Sequence, residues 1–112
     1  MRANIPKAGG MSNMQNMIKK AQKMQEDMVA AQAELDQKEY KATSGGGMVE
    51  VTVNGKKEVI SINMKPEVVD PEDTEMLGDL IIAAINEAIK AAEAESSAVM
   101  DEITGGLNVP GL

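Results

Sequence analysis

The chain has 112 residues, enough for one domain, and carries no Cys and no His. Thiol nucleophiles, disulfides, imidazole bases and the usual zinc ligands are excluded on that ground. The net charge of −7 is unevenly spread: Arg2, Lys7, Lys19, Lys20 and Lys23 precede every acid, and all 18 acids then follow against six further bases.

Such asymmetry suits a polyanion-facing end on an acidic body, and it equally describes a solvated polar face. No run approaches the roughly 18 apolar residues of a membrane span. Met1 to Gly10 lack the apolar stretch of a secretory signal, so the expected location is the cytoplasm. Tyr40 is the only aromatic residue, and there are ten Met. Ile, Val, Leu, Met and Ala must then fill the interior. Met suits both irregular core gaps and interaction surfaces, and both uses stay open.

Ser12 to Gln37 predicts a helix. Met14, Met17, Ala21, Met24, Met28, Ala31 and Leu35 recur at spacings of three and four, a heptad seam kept for three heptads. Ser12 is the expected N-cap, with Gln15 three residues on. Tyr40 to Thr43 is a short strand candidate, and Ser44-Gly45-Gly46-Gly47 breaks it. A phosphate-binding loop would need Gly-Lys-Ser/Thr leading into a helix; here Met48 and a strand follow, so the glycines read as a connection.

Met48 to Val53 alternates, with Val49, Val51 and Val53 on one side. Asn54-Gly55 is a strong signal for a two-residue type I′ turn. Lys57 to Met64 returns. That turn would set Val53 against Lys56, Val51 against Glu58 and Val49 against Ile60, and would give Ile60, Ile62 and Met64 the valine face. Pro66 ends the strand. Asp70 is the expected N-cap of a second helix, with Pro71 at its first position and acids in its first turn. This helix should run to about Ile103 and stop at Thr104-Gly105-Gly106. Its first half is apolar nearly all round, from Met76 to Ile89. Its second half narrows to a stripe of Ile85, Ile89, Ala92, Ser96, Val99 and Ile103.

The expected fold class is α+β, an α-β-β-β-α protomer: a three-stranded antiparallel sheet with two long helices. It occupies residues 1–112 as a single domain, with loose ends at about 1–11 and 104–112. Helices of this length overhang strands of about 17–20 Å. The overhanging seams, the all-round apolar start of the second helix and the open sheet edges need more cover than one chain supplies, and a two-fold homodimer is the simplest closure.

The ordered runs Gly45-Gly46-Gly47-Met48-Val49, Val53-Asn54-Gly55-Lys56-Lys57-Glu58-Val59 and Pro66-Glu67-Val68-Val69-Asp70-Pro71-Glu72-Asp73 resemble the centre of the YbaB/EbfC nucleoid-associated proteins. Met76-Leu77, Asp79-Leu80-Ile81, Ala83-Ala84 and Asn86-Glu87-Ala88 extend the likeness. So do the Met- and Gln-rich first helix and the ending Thr104-Gly105-Gly106-Leu107 to Pro110-Gly111-Leu112. The resemblance implies a tweezer-like homodimer in the nucleoid. It implies that basic helical arms bind duplex DNA with limited sequence preference, serving nucleoid organisation or gene regulation. The arm role carries over to Lys19, Lys20 and Lys23, with Lys7 and Arg2 extending the patch. The second helix, where Lys90 stands among acids, has little to add.

Lys19, Lys20 and Lys23 lie off the seam, so they can reach phosphates while the seam packs. Asn13, Gln15, Asn16 and Gln22 supply neutral donors and acceptors for phosphate and sugar. The second class is a protein-binding scaffold or chaperone-like adaptor that uses Met-rich arms. An enzyme is not expected. The carboxylates Asp70, Glu72, Asp73 and Glu75 are accounted for by helix capping, and no base, nucleophile or metal set accompanies them. Metal, cofactor and small-molecule substrate are not expected.

Overall fold

The computed structural model describes residues 4–105, with side chains from Asn13 onward. The order is α1 (Asn4–Gln37), β1 (Glu39–Ser44), β2 (Val49–Asn54), β3 (Val59–Met64) and α2 (Thr74–Thr104), with a 3-10 turn at Pro66–Val68 before α2. This is the expected α+β order, α-β-β-β-α. Residues 1–3 and 106–112, parts of the ends expected to be loose, lie outside the described residues. The helix begins at Asn4, so Ser12 sits within it and does not cap it.

The sheet has the order β1-β2-β3 and is antiparallel throughout. The β1–β2 turn is closed by Gly45, Gly46 and Gly47, all with positive φ (61°, 67° and 91°). Three consecutive residues in that region explain the triple glycine, because a Cβ is disfavoured there.

The β2–β3 hairpin departs from the expected geometry. Val49 pairs with Met64 and Val51 with Ile62, and the register shifts between Thr52 and Val53 so that Val53 meets Val59. The Asn54 amide donates to the Glu58 carbonyl (3.0 Å) and the Lys57 amide to the Asn54 carbonyl (2.9 Å). Lys57, not Gly55, takes positive φ (67°). The connection is thus a three-residue loop ending in a left-handed residue, not a type I′ turn. The Asn54 carboxamide oxygen selects it by accepting from the amides of Lys56 (2.9 Å) and Glu58 (3.0 Å). The ladder slips by four residues at Val49. An even slip preserves faces, so Ile62 and Met64 still share the valine side.

The α2 N-cap is Asp73, whose carboxylate accepts from the Met76 amide at 3.2 Å. Asp70 instead closes a turn, accepting from the Glu72 amide on its side chain (2.9 Å) and from the Asp73 amide on its carbonyl (3.0 Å). Pro71 suits the second position of a turn as well as the first turn of a helix, and the second Asp won the capping role.

The core is thin. Val49, Val51 and Val53 are fully buried against Ala84, Ala88 and Ala92 of α2, which recur every fourth residue and let the helix lie close on the sheet. The helix lies over β1 and β2. Along β3, Val59, Ile60, Ile62 and Met64 stay exposed, and so do Met76 and Ile82 on α2. The described chain is long, 88 × 25 × 16 Å, with a radius of gyration of 23.3 Å. A compact chain of this length would have about 13 Å.

Candidate nucleic-acid interface

The feature that makes the molecule long is α1. Its 34 residues span about 51 Å. Its seam is graded from root to tip: Leu35 is 3 % exposed, Ala31, Met28 and Met24 are half-buried, and Met17 and Met14 are 68 % and 63 % exposed. The half-buried stretch runs beside the second half of α2. There Gln25, Met28, Val29, Gln32 and Met100 line an open groove of about 390 Å³. The expected stripe on α2 faces inward, since Ile85, Ile89, Ser96, Val99 and Ile103 are all half-buried and Ala92 is buried. At equal rise per residue, the end of α2 at Thr104 falls about level with Met24. Outward of that level α1 stands alone.

The lysines lie on this free part. Lys19, Lys20 and Lys23 are exposed, sit within about 6 Å of helical rise and point about a third of a turn away from the seam. Lys23 makes a long contact to Asp27 (3.5 Å) with both side chains exposed, which holds it weakly. Lys19 and Lys20 make no ion pair among the described residues. Asn13, Gln15, Asn16 and Gln22 are exposed on the same segment. Arg2 lies outside the described residues. Lys7 falls within the helical backbone of α1, and its side chain lies outside the described ones. Of the expected patch, the structure therefore places three of five cations together.

On the body, acids occupy the bases. Lys38 pairs with Glu95 (2.6 Å), Lys57 with Glu93 (3.3 Å) and Lys90 with Glu87 (3.7 Å). Lys41, Lys56 and Lys65 stay exposed, scattered over the sheet and its hairpin. The Lys38 hydrogen bond holds the Glu95 carboxyl below its usual range, and the carboxylate in turn raises the Lys38 pKa. Burial raises the Tyr40 hydroxyl to about 12, and the neighbouring Glu95 carboxylate adds to the shift. That hydroxyl is buried without a well-aligned hydrogen-bond partner. This cluster ties the start of β1 to α2. Sequence inspection missed it, because Glu95 is 55 residues or more from Lys38 and Tyr40 and carries no local signal.

An arm-bearing α+β chain, with three exposed lysines and no acid on the free part of the arm and most of its acids on the body, defines a class of polyanion-binding modules. The chain belongs to the YbaB/EbfC DNA-binding family, whose model matches residues 11–107. A nucleoid-associated protein of Alkaliphilus metalliredigens (strain QYMF) is 59 % identical over 108 residues, covering 96 % of this chain and 95 % of the relative. One of Clostridium acetobutylicum is 56 % identical over 111 residues, 99 % and 98 % of the two chains. Among solved structures, an uncharacterised protein of Helicobacter pylori, HP0035, superposes with a TM-score of 0.60 at 24 % identity, over 70 % of this chain and 92 % of that one. That likeness shows the shared fold.

Proposed function

We propose that this protein is a nucleoid-associated DNA-binding protein that acts as a homodimer, through the outer part of α1, with limited sequence preference. The observation that carries the proposal is the lysine group Lys19, Lys20 and Lys23 on the free part of the arm, in a member of a DNA-binding family. Cations that replace condensed counterions at phosphates give affinity without reading bases. Among the described residues the chain offers no aromatic platform for unpaired bases, since its one aromatic side chain, Tyr40, packs against the core.

The dimer is supported by what one chain leaves uncovered. β3 is an edge strand whose apolar side chains stay exposed, and Met76 and Ile82 add to the exposed apolar surface. A long apolar edge strand is an association surface, and a two-fold copy closes it. Two arms would then present six lysines.

A mobility shift across several salt concentrations tests the reading. If all six lysines meet phosphates, log affinity falls with log salt at a slope of about −5. Changing Lys19, Lys20 and Lys23 together to Ala should leave the fold intact, since exposed helix positions accept Ala. It should weaken binding to unrelated duplexes by similar factors and flatten the slope. Unchanged affinity and slope would mean that α1 is not the DNA surface.

A protein-binding role is the second reading. It is favoured by the exposed apolar side chains Met14, Met17, Ile18 and Val29 on α1, which suit a partner helix. A purified protein that ignores DNA and retains a helical partner would select it.

A further inference from the structure

The arm joins the body at one crowded point. The loop of the β2–β3 hairpin passes beneath the last turn of α1, and Gly55 lies against the backbone of Leu35 and Asp36. A Cβ at Gly55 would overlap the Leu35 carbonyl and stand 2.8 Å from the Asp36 Cα. Both are backbone contacts, so no side chain can swing away to relieve them. The φ of Gly55 is not positive, so this glycine is required by close approach and not by turn geometry. The same carbonyl accepts from the Lys38 amide at 3.1 Å, which fixes its direction. Next to it, Lys38 reaches Glu95 on α2, and Lys57 of the hairpin loop reaches Glu93.

The two sides of this contact differ in stiffness. The hairpin loop closes the β2–β3 ladder and continues β2, whose Val49, Val51 and Val53 are fully buried. The arm beyond Leu35 is held along one half-buried face as far as Met24, and outward of that it stands alone. Bulk added at Gly55 therefore displaces the arm and not the sheet. The displacement is magnified by length. Gln22 lies about 20 Å from Leu35 along the axis, so a tilt of about 10° moves it by more than about 3 Å.

We infer that Gly55, seated under the Leu35 carbonyl and braced by the Lys38–Glu95 pair, is the joint that sets the angle of the DNA-binding arm. It is a positioning residue, about 18–24 Å along the helix from the lysines that meet DNA. The inference rests on the reading of α1 as the DNA surface, and its test separates the two.

The chain has no Cys, so Gln22→Cys and Glu87→Cys place one label on the arm and one on the body. Doubly labelled chains diluted into unlabelled protein report the distance within one protomer. Gly55→Ala should shift that distance by about 3 Å or more. It should also lower affinity for duplex DNA at least about threefold and make the salt slope shallower by about 1, the signature of a lost phosphate contact. Gly78→Ala adds a methyl where nothing lies within 4 Å, and it should change neither readout. If Gly55→Ala does not fold, Glu95→Ala decides by the same readouts. Removal of an acid would by charge alone strengthen DNA binding, whereas a displaced arm weakens it. An unchanged label distance in the deciding variant overturns the joint. A shifted distance with unchanged affinity overturns its role in binding if the triple lysine variant binds weakly. If that variant binds normally, the same result overturns the arm as DNA surface instead.

Discussion

Tyr40 is the single aromatic residue of the chain and a probe of its own surroundings. Its hydroxyl is buried without an aligned partner, and burial raises its pKa from 10.0 to about 12. A group whose folded pKa is raised contributes stability in full below its unfolded pKa and loses it as pH rises through the folded value. The fold should hold to about pH 10 on this account and weaken between about 10 and 12, as the unfolded chain gains a tyrosinate that the folded chain resists. Tyrosinate absorbance and far-ultraviolet circular dichroism, followed together, should change in one coupled step. Ionisation near 10 with the dichroism unchanged would place the hydroxyl in water. Glu95 works in the opposite sense. Its pKa is depressed chiefly by the Lys38 hydrogen bond and further by the nearby Tyr40 hydroxyl, so its contribution is present at neutral pH and is lost as pH falls through the depressed value.

At the scale of the elements, the decisive contact is α2 on the central strand. Ala84 and Ala88 are fully buried and Ala92 nearly so, directly over Val49, Val51 and Val53. Small side chains on the helix bring its axis close to the sheet and leave the branched valines to fill the layer. Ala88→Leu would force larger volume into a closed layer and should destabilise the protein by about 1–3 kcal/mol, read as a lower denaturant midpoint at unchanged slope. An equal midpoint would mean that α2 has room to lift. The seam of α1 follows the same physics along a gradient. Leu35 is buried because α2 and the hairpin meet it, and Met14 and Met17 are exposed because α2 has ended.

For the whole molecule, the exposed apolar edge bears on assembly. Ile62 sits on β3 opposite Val51 and is still 38 % exposed in the single chain. If a second copy covers that edge, light scattering should report about twice the chain mass at micromolar concentration. Ile62→Asp should then halve it, since a carboxylate closed into an apolar interface without a partner costs several kcal/mol. A folded monomer in the parent protein would remove the dimer. A dimer that Ile62→Asp leaves intact would place the interface away from β3.

The sequence by itself determined the elements that local chemistry specifies. The three-four spacing from Met14 to Leu35 marks α1, the alternation at Val49, Val51 and Val53 marks the central strand, and the breaks at Ser44–Gly47 and Pro66 bound the sheet. The lysine group was legible for the same reason: charge and helical spacing together place it off the seam. Register, caps and joints were not legible, because each depended on a competition that local residues left balanced. Asn54-Gly55 suits a type I′ turn, yet the Asn54 side chain and the crowding under Leu35 favour a longer loop with Lys57 left-handed. Asp70-Pro71 suits a helix start, yet Asp73 caps and Asp70 turns. The seam of α1 reads as uniformly apolar, and only the length of α2 decides where it is covered. Glu95 meets Lys38 and Tyr40 only because α2 folds back across β1. Contacts between residues this far apart come from packing, and packing is the one term that a local pattern does not contain.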